Sequence, residues 1–216
     1  AVAGRDAEID AVVVTHHHDD HAQAAGWAAA WSARLLAWAP HMVGHPGAAP
    51  LADARWLALA GVRLQVLHTP GHCRDHVCLL VDGTGVALTG DHILGRGTTT
   101  VGWPEGDMGS YLASLHRVRR SGATALYPGH GPIVTDARGR VDHYLAHRRQ
   151  RARQVLAALA AGASTPDDIV ERVYVDVDPA LRPAARRNVR AQLELLVRQG
   201  RAARLGTGAE PRFGLR

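Results

Sequence analysis

The 216-residue chain contains no lysine, so all 25 of its basic residues are arginines. The simplest reading is the codon bias of a GC-rich genome, which also accounts for the abundant alanine. Cysteine is scarce. Cys73 and Cys78 lie five apart, and on one strand they would point to opposite faces. No disulfide is therefore expected, and a reducing, cytoplasmic compartment is. Long apolar runs are also lacking. No stretch approaches the roughly 18 residues that span a bilayer, so no membrane partner is expected. The chain begins at Ala1 rather than Met, and its first residues, AVAGRDAEID, lack the basic-then-apolar pattern of a signal peptide.

What is present is a hydrophobic fraction of 46%, enough for a sizeable core, and a net charge of +5, which favours anionic partners. Fourteen histidines is a high number for this length, and they are clustered. Ile9 to Val14 reads as a short buried strand. AQAAGWAAAWSARLLAW, from Ala22 to Trp38, carries Trp27, Trp31, Leu35 and Trp38 at helical spacing and reads as a helix with one apolar face. PHMVGHPGAAP is a loop. VRLQVLHTPGH reads as a strand that stops at Pro70-Gly71, and HVCLLVDG with GVALTGD as a hairpin pair. Asp107 to Arg120 reads as a helix, and ATALYPGHG as a last strand and turn. The character then changes. A basic helix covers about Asp142 to Ala161. STPDDIVERVY starts another, with Thr165 as cap and Pro166 in the first turn. A third runs from about Pro183 to Gln199, and the tail from Arg201 reads as two small strands.

Several clusters share one design, in which a strand ends and a His or Asp follows in a tight turn. They are His16-x-His18-x-Asp20-His21, Pro70-Gly71-His72, Gly90-Asp91 and Pro128-Gly129-His130. Glycine lets the backbone turn sharply there without steric cost. Strand ends at one sheet edge converge, so the clusters can meet. Imidazoles and carboxylates suit zinc or another borderline dication. Seven such groups are too many for one tetrahedral site but suffice for two metals that share a carboxylate. Such a pair can hold hydroxide at neutral pH, which is the chemistry of a hydrolase. Asp20 also stands where a carboxylate would cap the following helix.

THHHDDH, HTPGH, LTGD and YPGHG, in this order, resemble the metallo-β-lactamase superfamily. GDHILGRGTTTV, YLASLHRV, LYPGHGPIV and YLAHRRQR are similar, more narrowly, to its β-lactamase-like protein 2 group. The resemblance spans residues 9 to 205. It implies an α/β fold, an αββα sandwich in residues 1–160 followed by a small winged-helix domain in residues 161–216. It implies that His16, His18 and His72 hold the first of two zinc ions (manganese or iron being alternatives), that Asp20, His21 and His130 hold the second, and that Asp91 bridges them. The candidate catalytic groups are Asp20 and His76, the latter as a supporting or substrate-side group. His17 and Asp19 fall at the spacer positions of the motif, pointing away from the metals. His68 reads as a strand-end structural residue. His147 lies in the family-like HRRQR element. Relatives carry several strands before this motif, which here begins at His16. The expectation is that those N-terminal strands are missing from this chain, or that a partner covers the edge. Cys73 stands where relatives usually carry threonine.

For function, the narrower resemblance implies a dinuclear-metal hydrolase with a bridging hydroxide as nucleophile, acting as an endoribonuclease on single-stranded RNA. Two metals suit phosphodiester cleavage. Arg186, Arg187 and Arg190 on one helix, with Arg148, Arg149, Arg151 and Arg153 on another, would supply a basic surface. The alternative is a thioesterase acting on acyl-carrier or glutathione thioesters. β-Lactams are set aside, because a cytosolic enzyme rarely meets them. The 38 residues between Asp91 and His130 leave no room for the large insertion of dedicated RNA-processing members. A nucleic-acid-binding regulator with a structural metal would not need seven ligand groups. Oligomeric state stays open.

Overall fold

The computed structural model of the protein describes residues 8–45, 47–206 and 211–216. The sequence readings at the first seven residues, at Pro46 in the loop after Trp38, and at residues 207–210 of the tail lie outside them. Two compact units interleave along the chain. The first comprises Ala1–Thr69, Asp75–Gly97 and Arg117–Arg138, and the second Pro70–Arg74, Thr98–His116 and Gly139–Arg216.

In the first unit the β-branched run AVVV forms β1 (Ala11–Val14). Two short helices follow, α1 (Asp19–Ala22) and α2 (Ala25–Ala30), before β2 (Arg34–Ala37) runs parallel to β1. The two-residue β3 (Ala49–Pro50) pairs parallel to β2. The single helix expected from Ala22 to Trp38 is thus corrected. It ends by Trp31, Ser32 takes φ +52°, and the chain turns into a strand. Leu35, Leu36 and Ala37 are buried. A parallel strand covered on both faces carries a continuous apolar run, which periodicity alone confuses with a buried helix. The helix face is corrected as well. Ala25 and Ala28 point inward, while Trp27 and Trp31 are 58% and 48% exposed.

The second sheet of this unit has the order β4 (Trp56–Leu59), β5 (Val62–His68), β6 (Val77–Val81), β7 (Val86–Gly90), β8 (Ala125–Pro128). Its first four strands form an antiparallel meander, and β8 joins β7 in parallel. β4 escaped the sequence reading. It turns into β5 through Ala60 and Gly61, both at positive φ. Such a tight hairpin usually announces itself with Asn-Gly or Asp-Gly, and Ala-Gly does not. Leu36 and Leu51 share a core with Leu57, Leu59, Val66, Val77 and Leu79, which packs the small sheet on the large one. On its other face Val14, Leu35 and Ala37 pack against Ala25 and Ala28 of α2. The layering is helix, sheet, sheet.

The later helices are α3 (Met108–Arg120), α4 (Ala137–Ala160), α5 (Pro166–Val173) and α6 (Arg182–Arg198), followed by the hairpin of β9 (Ala202–Leu205) and β10 (Arg212–Leu215). α4 begins five residues before the expected start and tolerates Gly139 inside its first turn. α5 has the expected cap: the Thr165 side chain accepts from the Asp168 amide, and Asp168 accepts from the Thr165 amide. Val155, Leu159, Ile169, Val189, Leu193, Leu196 and Phe213 form one core, so three helices and a two-stranded wing fold together.

Three of the arginines read as a nucleic-acid surface are engaged inside this second unit. Arg148 is 5% exposed, donates to the Thr99 carbonyl and lies over the Tyr111 ring. Arg151 covers Tyr174 and donates to the Val173 carbonyl. Arg190 pairs with the buried Glu194 at 2.7 Å and covers Phe213. Arg149, Arg153 and Arg187 are exposed, and Arg186 pairs with Asp167.

Next to Arg148, burial and then the charges of Arg148 and Arg151 press the pKa of His147 down to about 4, from an ordinary 6.5. Between those values the unfolded chain binds the proton and the folded chain does not. The contribution of His147 to stability is therefore complete above pH 6.5 and is lost as pH drops towards 4. Urea midpoints measured across this range should decline, and His147→Gln should flatten the decline. An unchanged slope in the variant would contradict this account.

Candidate metal centre

Every donor of the first unit sits where a strand has just ended. β1 delivers Thr15 and His16, and the chain turns at once into α1, with His18 as its N-cap residue. The side chain of His18 makes no capping bond, and Asp19 and Asp20 occupy the first turn, where negative charge suits the helix dipole. Asp20 therefore does not cap the helix. It points its carboxylate at His130 instead, with Oδ2 to Nε2 at 2.9 Å. β7 ends at Gly90 and delivers Asp91; β8 ends at Pro128 and delivers His130.

Four donor atoms from these segments crowd together. His21 Nε2 is 3.2 Å from Asp91 Oδ1 and 3.8 Å from Asp20 Oδ2, and His130 Nε2 is 3.5 Å from Asp91 Oδ1. Ligands about 2.0–2.1 Å from a tetrahedral zinc ion lie about 3.3–3.4 Å apart. The observed separations bracket that edge length. His21 Nε2 is buried and meets Asp91 outside hydrogen-bond geometry. The donor set and its spacing fit a divalent cation. A second group lies alongside. His16 Nε2 and His18 Nδ1 are 3.0 Å apart, and donors of His16, His21 and Asp91 fall within 4.8 Å of one another. Asp91 is thus within reach of both groups, as a bridging carboxylate must be. His16 is 1% exposed, whereas the side chains of Asp20 and His130 are 57% and 51% exposed, so one edge of the cluster opens to solvent.

The supporting residues fix the ring orientations. The Thr15 hydroxyl lies 3.1 Å from His16 Nδ1 and 3.4 Å from His21 Nδ1, which leaves the Nε2 atom of each ring for the cluster. Gly129 permits the close approach: a Cβ there would meet His21 Cε1 at 2.6 Å and Asp91 Oδ1 at 2.8 Å. Gly90, at φ +44°, would put a Cβ 2.8 Å from His76 Nε2. The electrostatics are mutual. The adjacent Asp91 carboxylate raises the pKa of His21 against the opposing effect of burial. Burial pushes Asp91 up, and the neighbouring His21, His130 and His16 more than offset it, for a net lowering.

His76 occupies a different place from a substrate-side group. It is fully buried, its Nε2 accepts from the Asp91 amide at 3.1 Å, and its Nδ1 meets Thr69 Oγ1 at 2.9 Å. Both nitrogens serve the fold beneath Asp91. His17, a spacer position, bonds the buried carboxylate of Asp75 at 2.8 Å. His68 stacks on Trp38 with ring centroids 3.7 Å apart. Sequence reasoning missed Thr15, Thr69 and the buried His92, which have no spacing rule of their own. Cys73 and Cys78 are both buried and are not joined in a disulfide.

His72 belongs to the second unit. Gly71, at φ +137°, sits so close to α3 that a Cβ would fall 2.3 Å from Tyr111 Cα. The Nδ1 of His72 donates to the Thr100 carbonyl at 2.7 Å. A carbonyl only accepts, so the proton is on Nδ1, and Nε2 carries the lone pair that a metal takes.

Residues 57–130 match the metallo-β-lactamase superfamily, and residues 165–210 match the β-lactamase-associated winged helix domain. The chain belongs to the metallo-β-lactamase superfamily. A β-lactamase-like protein 2 homolog of Caenorhabditis elegans is 36% identical over 149 residues, 68% of this chain and 49% of that protein. An atrochrysone carboxyl ACP thioesterase of Aspergillus chevalieri is 31% identical over 188 residues, 80% of this chain and 58% of that protein. The chain thus spans about half the length of these relatives. Among solved structures, a metallo-β-lactamase family protein of Thermus thermophilus matches with a TM-score of 0.80 at 25% identity, over 96% of this chain and 80% of its own. A β-lactamase domain protein of Burkholderia ambifaria has the same fold, with a TM-score of 0.84 at 22% identity, over 98% and 75%. No helix among the described residues is long and apolar enough to cross a membrane.

Gly129→Ala should drive His21 and Asp91 apart and lower the zinc bound per chain, as read by elemental analysis after dialysis. Gly26→Ala, where an added Cβ meets nothing within 4 Å, should bind like the parent chain. Undiminished zinc in Gly129→Ala would contradict the close-packed donor cluster.

Proposed function

We propose that the protein is a dinuclear-metal hydrolase whose preferred substrate is an acyl thioester. The observation that carries the metal reading is the cluster of Asp20, His21, Asp91 and His130 donors, with neighbouring atoms 2.9–3.8 Å apart, beside the His16–His18 pair. In this reading His72 is a metal ligand through its Nε2, as the family pattern implies, and Asp91 serves both metals. Two divalent cations would lower the pKa of a water and polarise the carbonyl under attack. The chain's own residues do the rest. Asp91 presents its carboxylate in a half-buried setting, Thr15 fixes two rings, and the exposed Asp20–His130 edge admits substrate.

Two observations favour a thioester over RNA. Relatives at 30–31% identity bear the name of acyl-carrier thioesterases. Arg148, Arg151 and Arg190 are engaged in internal contacts, which removes three of the cations expected to grip a phosphate backbone. The net charge of +5 suits an anionic carrier-bound thioester as well as it suits a nucleic acid.

The test is a zinc-reconstituted chain offered acyl thioesters and unstructured RNA side by side. Thioester turnover should stop with a chelator and return with zinc or manganese. Asp91→Asn should lower it by more than about 100-fold, beyond the 10–100-fold typical of losing an outer partner of a ligand. Chelator-sensitive RNA cleavage without thioester turnover would overturn the substrate assignment and leave the metal reading standing. Activity untouched by Asp91→Asn would overturn the metal reading.

A further inference from the structure

The segment that carries His72 is tied to the winged helix by a short chain of hydrogen bonds inside the second unit. His72 Nδ1 donates to the Thr100 carbonyl at 2.7 Å. The next residue, Val101, is fully buried, and its amide donates to Asn188 Oδ1 of α6 at 2.8 Å. Asn188 is the only asparagine in the chain. Its Nδ2 donates to the Ala184 carbonyl at 3.2 Å, one turn back on α6, and this bond turns Oδ1 towards Val101. Two residues on, the Trp103 amide donates to the Arg187 carbonyl of α6 at 3.2 Å.

The other shoulder of the His72 turn is held from the same helix. The Gly71 carbonyl accepts from the Asp107 amide at 2.9 Å. Asp107 caps α3 through Ser110 and pairs with Arg198 of α6 at 2.6 Å. Thr99, before Thr100, is fixed by Arg148. Residues 99–107 are thus pinned at one end by Asn188 and Arg187 and at the other by Arg198, and they orient the His72 ring.

We propose that α6 of the winged-helix segment is a positioning element for the metal ligand His72, acting through Asn188, Val101 and the Thr100 carbonyl. The inference rests on the reading of His72 as a ligand. Its chemistry is that of an outer partner: a carbonyl that receives the far N–H of a ligating imidazole fixes both tautomer and ring plane, and its loss weakens metal binding. Removing the Asn188 oxygen leaves a buried Val101 amide without its acceptor, and the strand that presents Thr100 must shift to find another.

The test titrates zinc into metal-free protein against a chromogenic chelator, with cobalt spectra as a second readout. Asn188→Leu should weaken one of two zinc equivalents by about 10–100-fold and change the cobalt band. Asn188→Asp, which keeps an oxygen acceptor, should recover most of that loss. Arg186→Ala, on the same helix but paired with Asp167, should bind like the parent. His72→Ala separates the two readings. If it binds both zincs at parental affinity, His72 is not a ligand and the reading beneath falls. If it loses one while Asn188→Leu binds both, the coupling through α6 is overturned and the ligand assignment stands. Should Asn188→Leu fail to fold, the unaltered metal-free protein still decides. Nitrogen-15 histidine spectra must show the His72 proton on Nδ1, and a proton on Nε2 would overturn the proposal.

Discussion

Four donor atoms from three separate chain segments, each 2.9–3.8 Å from two of the others, crowd together in the first unit, and they cannot hold themselves there. Two are carboxylate oxygens, and the imidazole nitrogens bear lone pairs whenever they are ready for a cation. Crowded acceptors repel unless an ion or proton sits among them. The backbone supplies the restraint. The Gly129 amide donates to the Gly90 carbonyl at 2.9 Å, and the Val77 amide to the Thr15 carbonyl at 2.9 Å. These bonds fasten the ends of β8 to β7 and of β6 to the loop after β1. The register of the β7–β8 pair also shifts between Leu88 and Gly90. Such irregularities re-aim a side chain next to a site, and here the next side chain is Asp91.

His76 extends this restraint downwards. A buried imidazole would ordinarily need two partners, and it finds the Asp91 amide and the Thr69 hydroxyl. The same Thr69 hydroxyl reaches Cys78 Sγ on β6, whose thiol is pushed up to about 12 by burial. The layer under Asp91 is thus neutral and fully buried. It aims the carboxylate by its backbone and adds no charge that would compete for the cation. Gly90 sits against His76 so closely that any side chain there would break the contact.

These side chains were legible in the sequence because each segment is announced twice, by its chemical type and by the strand end before it, with a glycine beside Asp91 and His130. His16, His18, Asp20, His21, Asp91 and His130 come together in the first unit as the spacing required. What was not legible depended on packing partners distant in sequence. Leu35 to Ala37 reads as helix by spacing and folds as a parallel strand, since burial on both faces erases the alternation that marks a strand. His76 carries the chemistry of a reactive group, and only the structure shows its two nitrogens turned to Asp91 and Thr69. The arginines of α4 and α6 misled for a related reason. Arginine covers aromatic rings as readily as it meets phosphate. A sequence reports the charge and not the Tyr111, Tyr174 or Phe213 ring beneath it.

The same limit applies to domain boundaries. Family similarity divides the chain in order, with residues 57–130 before residues 165–210. Compactness divides it differently, placing Pro70–Arg74 and Thr98–His116 with everything from Gly139 onward. Both divisions are correct for what they measure. The first follows inheritance, in which a winged helix is a separable module. The second follows contacts, in which α6 turns Asn188, the Arg187 carbonyl and Arg198 towards residues 101–107. A helix whose side chains and carbonyls are committed to that loop presents less of itself to an outside nucleic acid. The winged-helix outline therefore does not by itself argue for nucleic-acid recognition here. In this chain its third helix is part of the scaffold that carries His72.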